Sequence, residues 1–130
     1  MRTDVLGVSF DSVTMEQAVD AAAAMMAAGG FHYAVTPNAE FVQRAEKDER
    51  FRCALNGADL VLPDGIGVIH AAKILGRPLP GRVPGCDFAA ALCGRMAREG
   101  KKLFLLGAKP GVAEQAARNL ETAHPGLRDL

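Results

Sequence analysis

The sequence predicts an α/β fold of Rossmann-like type, a mostly parallel sheet with helices on both faces, built by residues 1–130 as a single domain. Three observations carry this expectation. Short apolar runs alternate with longer segments of helical periodicity; Gly, Pro, Asn and Asp fall at the junctions; and 130 residues suit one compact domain with a real core. Hydrophobic residues make up 49% and charged residues 23%, close to globular averages, which argues against disorder. Fifteen Lys and Arg balance fifteen Asp and Glu with no basic block, so no nucleic-acid partner is expected. Cys53, Cys86 and Cys93 are odd in number and lack zinc-type pairing, which suits a reduced, cytoplasmic setting. The start, Met1–Val5, lacks a secretory pattern, and the richest apolar region, Ala18 to Ala28, is too short to span a bilayer. A membrane substrate would therefore be met at the surface.

Val5 to Phe10 reads as a short strand, and Thr14 with Gln17 forms a capping-box pattern that predicts a helix from Met15 to about Ala28. Gly29-Gly30 ends that helix, and Phe31 to Val35 reads as a buried strand delivering the chain to Thr36-Pro37-Asn38. Ala39 to Glu46 and Glu49 to Asn56 are predicted helices with Asp48 as a cap between them, before a strand at Leu60-Val61-Leu62. Val68 to Leu75 follows as a helix, Gly76 to Gly85 as a loop, Asp87 to Glu99 as a helix closed by Gly100, and Leu103 to Leu106 as a strand. A final helix spans Val112 to about Ala123. The segment Leu127-Arg128-Asp129-Leu130 does not read like the strand expected after that helix, so the sheet is expected to be incomplete, with an edge and apolar faces that a second copy could cover in a homo-oligomer.

Ligands in such sheets bind beyond the carboxyl ends of the strands, where the Thr36, Asp64 and Gly107 segments fall, so these loops are expected to share one cleft. Asp64 is the leading candidate because a carboxylate there can act as a general base or hold a hydroxyl; equally, Pro63-Asp64-Gly65 is a sequence that tight turns favour. Gly65 and Gly67 permit close approach of a ligand to backbone N–H groups at a helix start. Thr36 and Asn38 can hydrogen-bond a sugar or base edge, and either can cap the helix beginning near Ala39. Arg77 and Arg82 lie on a Pro- and Gly-stiffened loop, where a guanidinium matches phosphate oxygens or simply faces solvent. Gly107-Ala108-Lys109-Pro110-Gly111 can cradle a phosphate but lacks a Walker ending. His32, His70 and His124 show no metal-ligand spacing, Asp-x-Asp is absent, and no metal or cofactor is expected.

Taken together, five ordered segments resemble the WecG/TagA/CpsF family, glycosyltransferase family twenty-six. They are Leu6-Gly7-Val8, the run from Thr36 to Phe41, the run from Ala58 to Gly67, the run from Arg82 to Asp87, and the run from Leu105 to Gly111. The resemblance implies an inverting, metal-independent transfer of an N-acetylmannosamine-type sugar from a UDP donor to polyprenyl-diphosphate-linked N-acetylglucosamine in cell-surface polysaccharide synthesis. It implies Asp64 as the base, Thr36 and Asn38 as substrate contacts and Arg82 as a diphosphate ligand. Gly65, Gly107 and Lys109 complete the expected substrate-binding set. Family members continue well beyond residue 130, with further strands and an appendage that brings the enzyme to the inner face of the membrane. A second reading is a nucleotide-binding or interaction domain without catalysis.

Overall fold

A computed structural model describes residues 1–129 as two compact units, Met1–Phe88 and Ala89–Leu130. The described residues form a mixed α/β protein with six helices and three two-stranded sheets, two of them parallel.

The first unit opens on a hairpin. Strand β1 (Arg2–Val5) pairs antiparallel with β2 (Val8–Asp11), Val5 opposite Val8. Leu6 and Gly7 turn between them with φ of 50° and 96°, the left-handed pair that suits a two-residue hairpin. The single strand expected over Val5–Phe10 is therefore two, broken where Gly7 tolerates positive φ. Alternation then puts Val8 and Phe10 in the core while Ser9 faces the other way, its N–H donating to the Asn56 side chain at 2.9 Å. Asp11, at the end of β2, accepts the Val61 N–H at 2.7 Å and faces Arg2 Nε at 3.3 Å. Arg2 in turn donates to the carbonyls of Asn56 and Ala58.

Helix α1 (Met15–Ala28) starts where the capping box predicts: the Gln17 N–H donates to Thr14 Oγ1 at 3.2 Å and the Thr14 N–H to Gln17 Oε1 at 2.9 Å. Gly29 closes it at φ 78°. The next strand, β3, covers only Ala34–Val35, and Phe31 is 86% exposed, so the buried strand expected over Phe31–Val35 is shorter and more open than its composition suggests. The reason is local. Tyr33 is fastened outside the core: its N–H donates to the Asp59 carboxylate, and its hydroxyl donates to the Ala54 carbonyl at 2.8 Å, above Gly57, where a Cβ would come within 3.0 Å of Tyr33 Oη.

Strand β3 pairs in parallel with β4 (Leu60–Val61), Ala34 opposite Leu60 and Val35 opposite Val61. The connection between them holds α2 (Ala39–Lys47) and α3 (Glu49–Asn56), capped by the Asn38 and Asp48 side chains through the Phe41 and Phe51 N–H groups. An edge-to-face Phe41–Phe51 contact with centroids 5.6 Å apart, and the Arg44 guanidinium over the Phe51 ring, join the two helices. Helix α4 (Ile66–Ile74) begins two residues earlier than expected. The core beneath unites the hairpin, α2, α3, β4 and α4 through Val5, Phe10, Val42, Leu55, Val61 and Val68.

Helix α5 (Gly85–Arg98) starts in the first unit and ends in the second, and Gly85, expected at the end of a loop, is its first residue. In the second unit β5 (Lys102–Leu103) pairs in parallel with β6 (Arg128–Asp129), on either side of α6 (Val112–Ala123). This unit differs from the sequence expectation in two places. The strand expected over Leu103–Leu106 covers only Lys102–Leu103 among the described residues, and Phe104 and Leu106 are exposed. The segment after Pro125-Gly126, not expected to be a strand, supplies Arg128–Asp129 to the ladder; Leu130 lies outside the described residues. Gly126 permits that return, because a Cβ there would meet the Ala97 carbonyl oxygen at 3.1 Å. Cys93 is buried on α5, and burial pushes its thiol pKa up.

The Asp11 contact carries a stability prediction. Asp11→Ala leaves the Val61 N–H without its acceptor in a part-buried place, and should cost about 1–3 kcal/mol in urea unfolding. Asp11→Asn keeps an acceptor oxygen and should cost clearly less; equal losses in the two variants would contradict the role given to that bond.

Candidate active site

Two of the expected loops meet at the carboxyl ends of β3 and β4. The Leu62 N–H donates to the Val35 carbonyl at 2.9 Å and the Asp64 N–H to the Pro37 carbonyl at 3.2 Å, so parallel pairing continues past both strands into the loops. Pro37 and Pro63 are fully buried between them. Their fixed φ and lack of an N–H make these turns stiff without stranding a donor.

A third segment closes on the same place. The Val83 N–H donates to the Pro63 carbonyl at 2.7 Å, and the Gly85 N–H to Asp64 Oδ2 at 3.3 Å. A Cβ at Gly85 would lie 3.1 Å from Thr36 Oγ1, so glycine is needed there for space. Gly65 is glycine for another reason. Nothing lies within 4 Å of where its Cβ would be, but its φ of 91° bends the chain sharply from β4 into α4. Thr36, Asp64, Gly65 and Gly85 thus form one cluster.

Asp64 is half-buried, and among the described residues its Oδ1 takes no hydrogen bond, leaving lone pairs for a proton or a hydroxyl. Asn38 resolves the capping question: its Oδ1 accepts the Phe41 N–H at 3.0 Å, which keeps the amide NH₂ as the donor for anything else. Thr36 caps nothing. Arg82 is exposed and lines a shallow hollow with Thr14, Met15, Pro80 and Gly81; among the described residues no ion pair joins it to Asp64.

Gly107 and Lys109 belong to the second unit. There Gly107, Ala108 and Gly111 all have positive φ, at 113°, 65° and 87°, and the Lys109 carbonyl accepts the Val112 N–H at 3.1 Å. Ala108 in the left-handed region stores local strain of about 1–2 kcal/mol. The turn leads into α6, whose first residues have no side-chain cap. Among the described residues no three His, Cys, Asp or Glu side chains group as metal ligands would, and no helix is long and apolar enough to cross a membrane.

Residues 3–129 match the family described as Glycosyl transferase WecG/TagA/CpsF. The chain belongs to that family. A relative from Staphylococcus aureus strain NCTC 8325 is 33% identical over 129 residues, covering 97% of this chain and 50% of its own. Another, from Bacillus spizizenii, is 33% identical over 95 residues, covering 73% of this chain and 37% of its own. Both carry the name N-acetylglucosaminyldiphosphoundecaprenol N-acetyl-beta-D-mannosaminyltransferase. The chain spans about half the length, or less, of these curated relatives.

Within this WecG/TagA/CpsF chain, reasoning from sequence named Thr36 and Asp64 but missed Gly85 as the residue that joins them. Gly85 lies in the Arg82–Asp87 run and read as the end of a loop, with nothing in the sequence to mark it as a neighbour of Thr36. Asp11, which ties β4 to the hairpin, gave no signal, because its role depends on a backbone N–H fifty residues away.

Gly85→Ala tests how tightly the cluster is built. The added methyl must push Thr36 aside, and a loss of about 1–3 kcal/mol is expected in urea unfolding. Thr36→Ala in the same background removes the crowding hydroxyl and should recover part of that loss; no recovery would place the cost elsewhere.

Proposed function

We propose that this chain carries the catalytic loops of a metal-independent, inverting transferase that moves an N-acetylmannosamine-type sugar from a UDP donor to polyprenyl-diphosphate-linked N-acetylglucosamine. Family membership and the relatives' names support the class of reaction. The observation that carries the residue assignment is Asp64: a half-buried carboxylate at a strand's carboxyl end, held by the Gly85 N–H, with Oδ1 open.

Inversion needs a single displacement. The acceptor hydroxyl oxygen forms its bond to the sugar C1 as the C1–O bond to UDP breaks, and Asp64 takes the hydroxyl proton as the attack proceeds. Charge gathers on the departing diphosphate, and Arg82, on its stiffened loop, is the group assigned to offset it. Thr36 Oγ1 and the Asn38 NH₂ orient the bound sugars beside Asp64, and Gly65 lets a ligand approach the start of α4. In the second unit, taken by itself, Gly107 and Lys109 are proposed as a phosphate-binding turn. A lipid-linked acceptor together with a UDP donor supports a reaction at the cytoplasmic face of a membrane with the protein bound peripherally, and a homo-oligomer is proposed as cover for its apolar surface.

In the form of this enzyme extended to the length of its relatives, Asp64→Asn is expected to lower acceptor-dependent UDP release by roughly 10²–10⁴-fold, the usual worth of a positioned base. Turnover should survive EDTA. Wild-type-level release from Asp64→Asn would remove Asp64 from the chemistry, and loss of activity in EDTA would remove the metal-independent mechanism.

A further inference from the structure

His32 stands apart from the candidate active site, yet both of its ring nitrogens face acceptors. Nδ1 lies 3.3 Å from Asp59 Oδ1 and Nε2 lies 3.0 Å from the Gly29 carbonyl oxygen. A carboxylate and a carbonyl only accept, and a neutral imidazole carries one N–H, so only the doubly protonated ring satisfies both contacts. The place suits a cation. Gly29 caps the C-terminus of α1, whose last turn has no basic residue, and the helix dipole leaves negative partial charge there.

We propose that His32 is held as an imidazolium that straps the connection between α1 and β3 onto Asp59 at the head of β4, and that losing its proton releases one of the two contacts. Asp59 is the hub of this strap. Its second carboxylate oxygen accepts the Tyr33 N–H at 2.9 Å, and its own N–H donates to the Tyr33 carbonyl at 2.9 Å. His32 and Asp59 therefore hold the amino ends of the two strands whose carboxyl ends present Thr36 and Asp64. The connection they fasten contains Gly29 and Gly30, both at positive φ, and the exposed Phe31, whose ring centroid lies 6.1 Å from that of Tyr33.

Among the described residues Asp59 is the charged group that acts on His32; α1 contributes the Gly29 carbonyl. The Asp59 carboxylate and then that carbonyl hold the imidazole above its ordinary value of 6.5. The Tyr33 N–H and then the His32 ring hold Asp59 below its ordinary 3.8. A raised His32 contributes its stabilisation fully below 6.5 and loses it as pH climbs through the raised value. A lowered Asp59 contributes above 3.8 and loses it as pH falls through the lowered value. The strap is complete between those limits and loosens on the alkaline side.

The test is an NMR titration of the ¹⁵N-labelled 130-residue chain, following the His32 ring nitrogens and the exchange of the Tyr33 amide corrected for its intrinsic pH dependence. We expect both nitrogens protonated at pH 6, a single midpoint above 6.5, and Tyr33 protection falling by roughly two- to fivefold across it, the range an exposed charge pair supports. Asp59→Asn keeps an oxygen for the Tyr33 N–H and removes the charge, so the His32 midpoint should drop. A midpoint at or below 6.5, an unchanged midpoint in Asp59→Asn, or Tyr33 protection flat through the titration would each overturn the proposal.

Discussion

Asp64 donates its N–H to the Pro37 carbonyl one step beyond the point where Leu62 donates to Val35. This extends the β3–β4 pairing out of regular structure and into the loops. Parallel strands cannot be joined by a tight turn, so their carboxyl ends leave in the same direction, and these cross-bonds hold the departing loops side by side. The arrangement follows from that constraint: two buried prolines stiffen the loops, Gly65 allows one to bend into α4, and the segment leading into α5 closes over both through Val83 and Gly85. A carboxylate held in this way has its oxygens placed in advance, which suits the proton-accepting role proposed for Asp64.

The hairpin at the start of the chain serves the same strands from the other side. Asp11 gives β4 the acceptor that a further ladder strand would supply at Val61, and Arg2 gathers the carbonyls at the end of α3. Below, Val5, Val8 and Phe10 bury their side chains against α3, α4 and β4. Burial of that apolar surface supplies the driving force, while the polar contacts set register. The division matters because β4 is only two residues long and could not hold its place by pairing alone.

Helices were the most readable part of the sequence. Thr14 with Gln17, Asn38 and Asp48 announce their helices through short-range chemistry, and each caps as that chemistry requires. Strands were less readable because apolar composition does not say what lies opposite. Tyr33 looks buried but is drawn off by Asp59 and Ala54, whereas Arg128–Asp129 look polar yet pair with β5. Of the candidate site, Thr36 and Asp64 were visible as polar residues at predicted strand ends. Gly85 was not, since the demand for a missing Cβ arises only when Thr36 packs against it. Asn38 was legible as one of two possible caps for α2, and what the sequence could not decide is that Asn38 and not Thr36 takes that role.

Thr36, Asp64, Gly65 and Gly85 are proposed to form a single ligand-facing surface. Titrating UDP into the ¹⁵N-labelled chain, with amide shifts followed residue by residue, tests it most directly. Saturable shifts concentrated at those four amides are predicted. Saturable binding that leaves all four unmoved, or no binding at millimolar UDP, would contradict it.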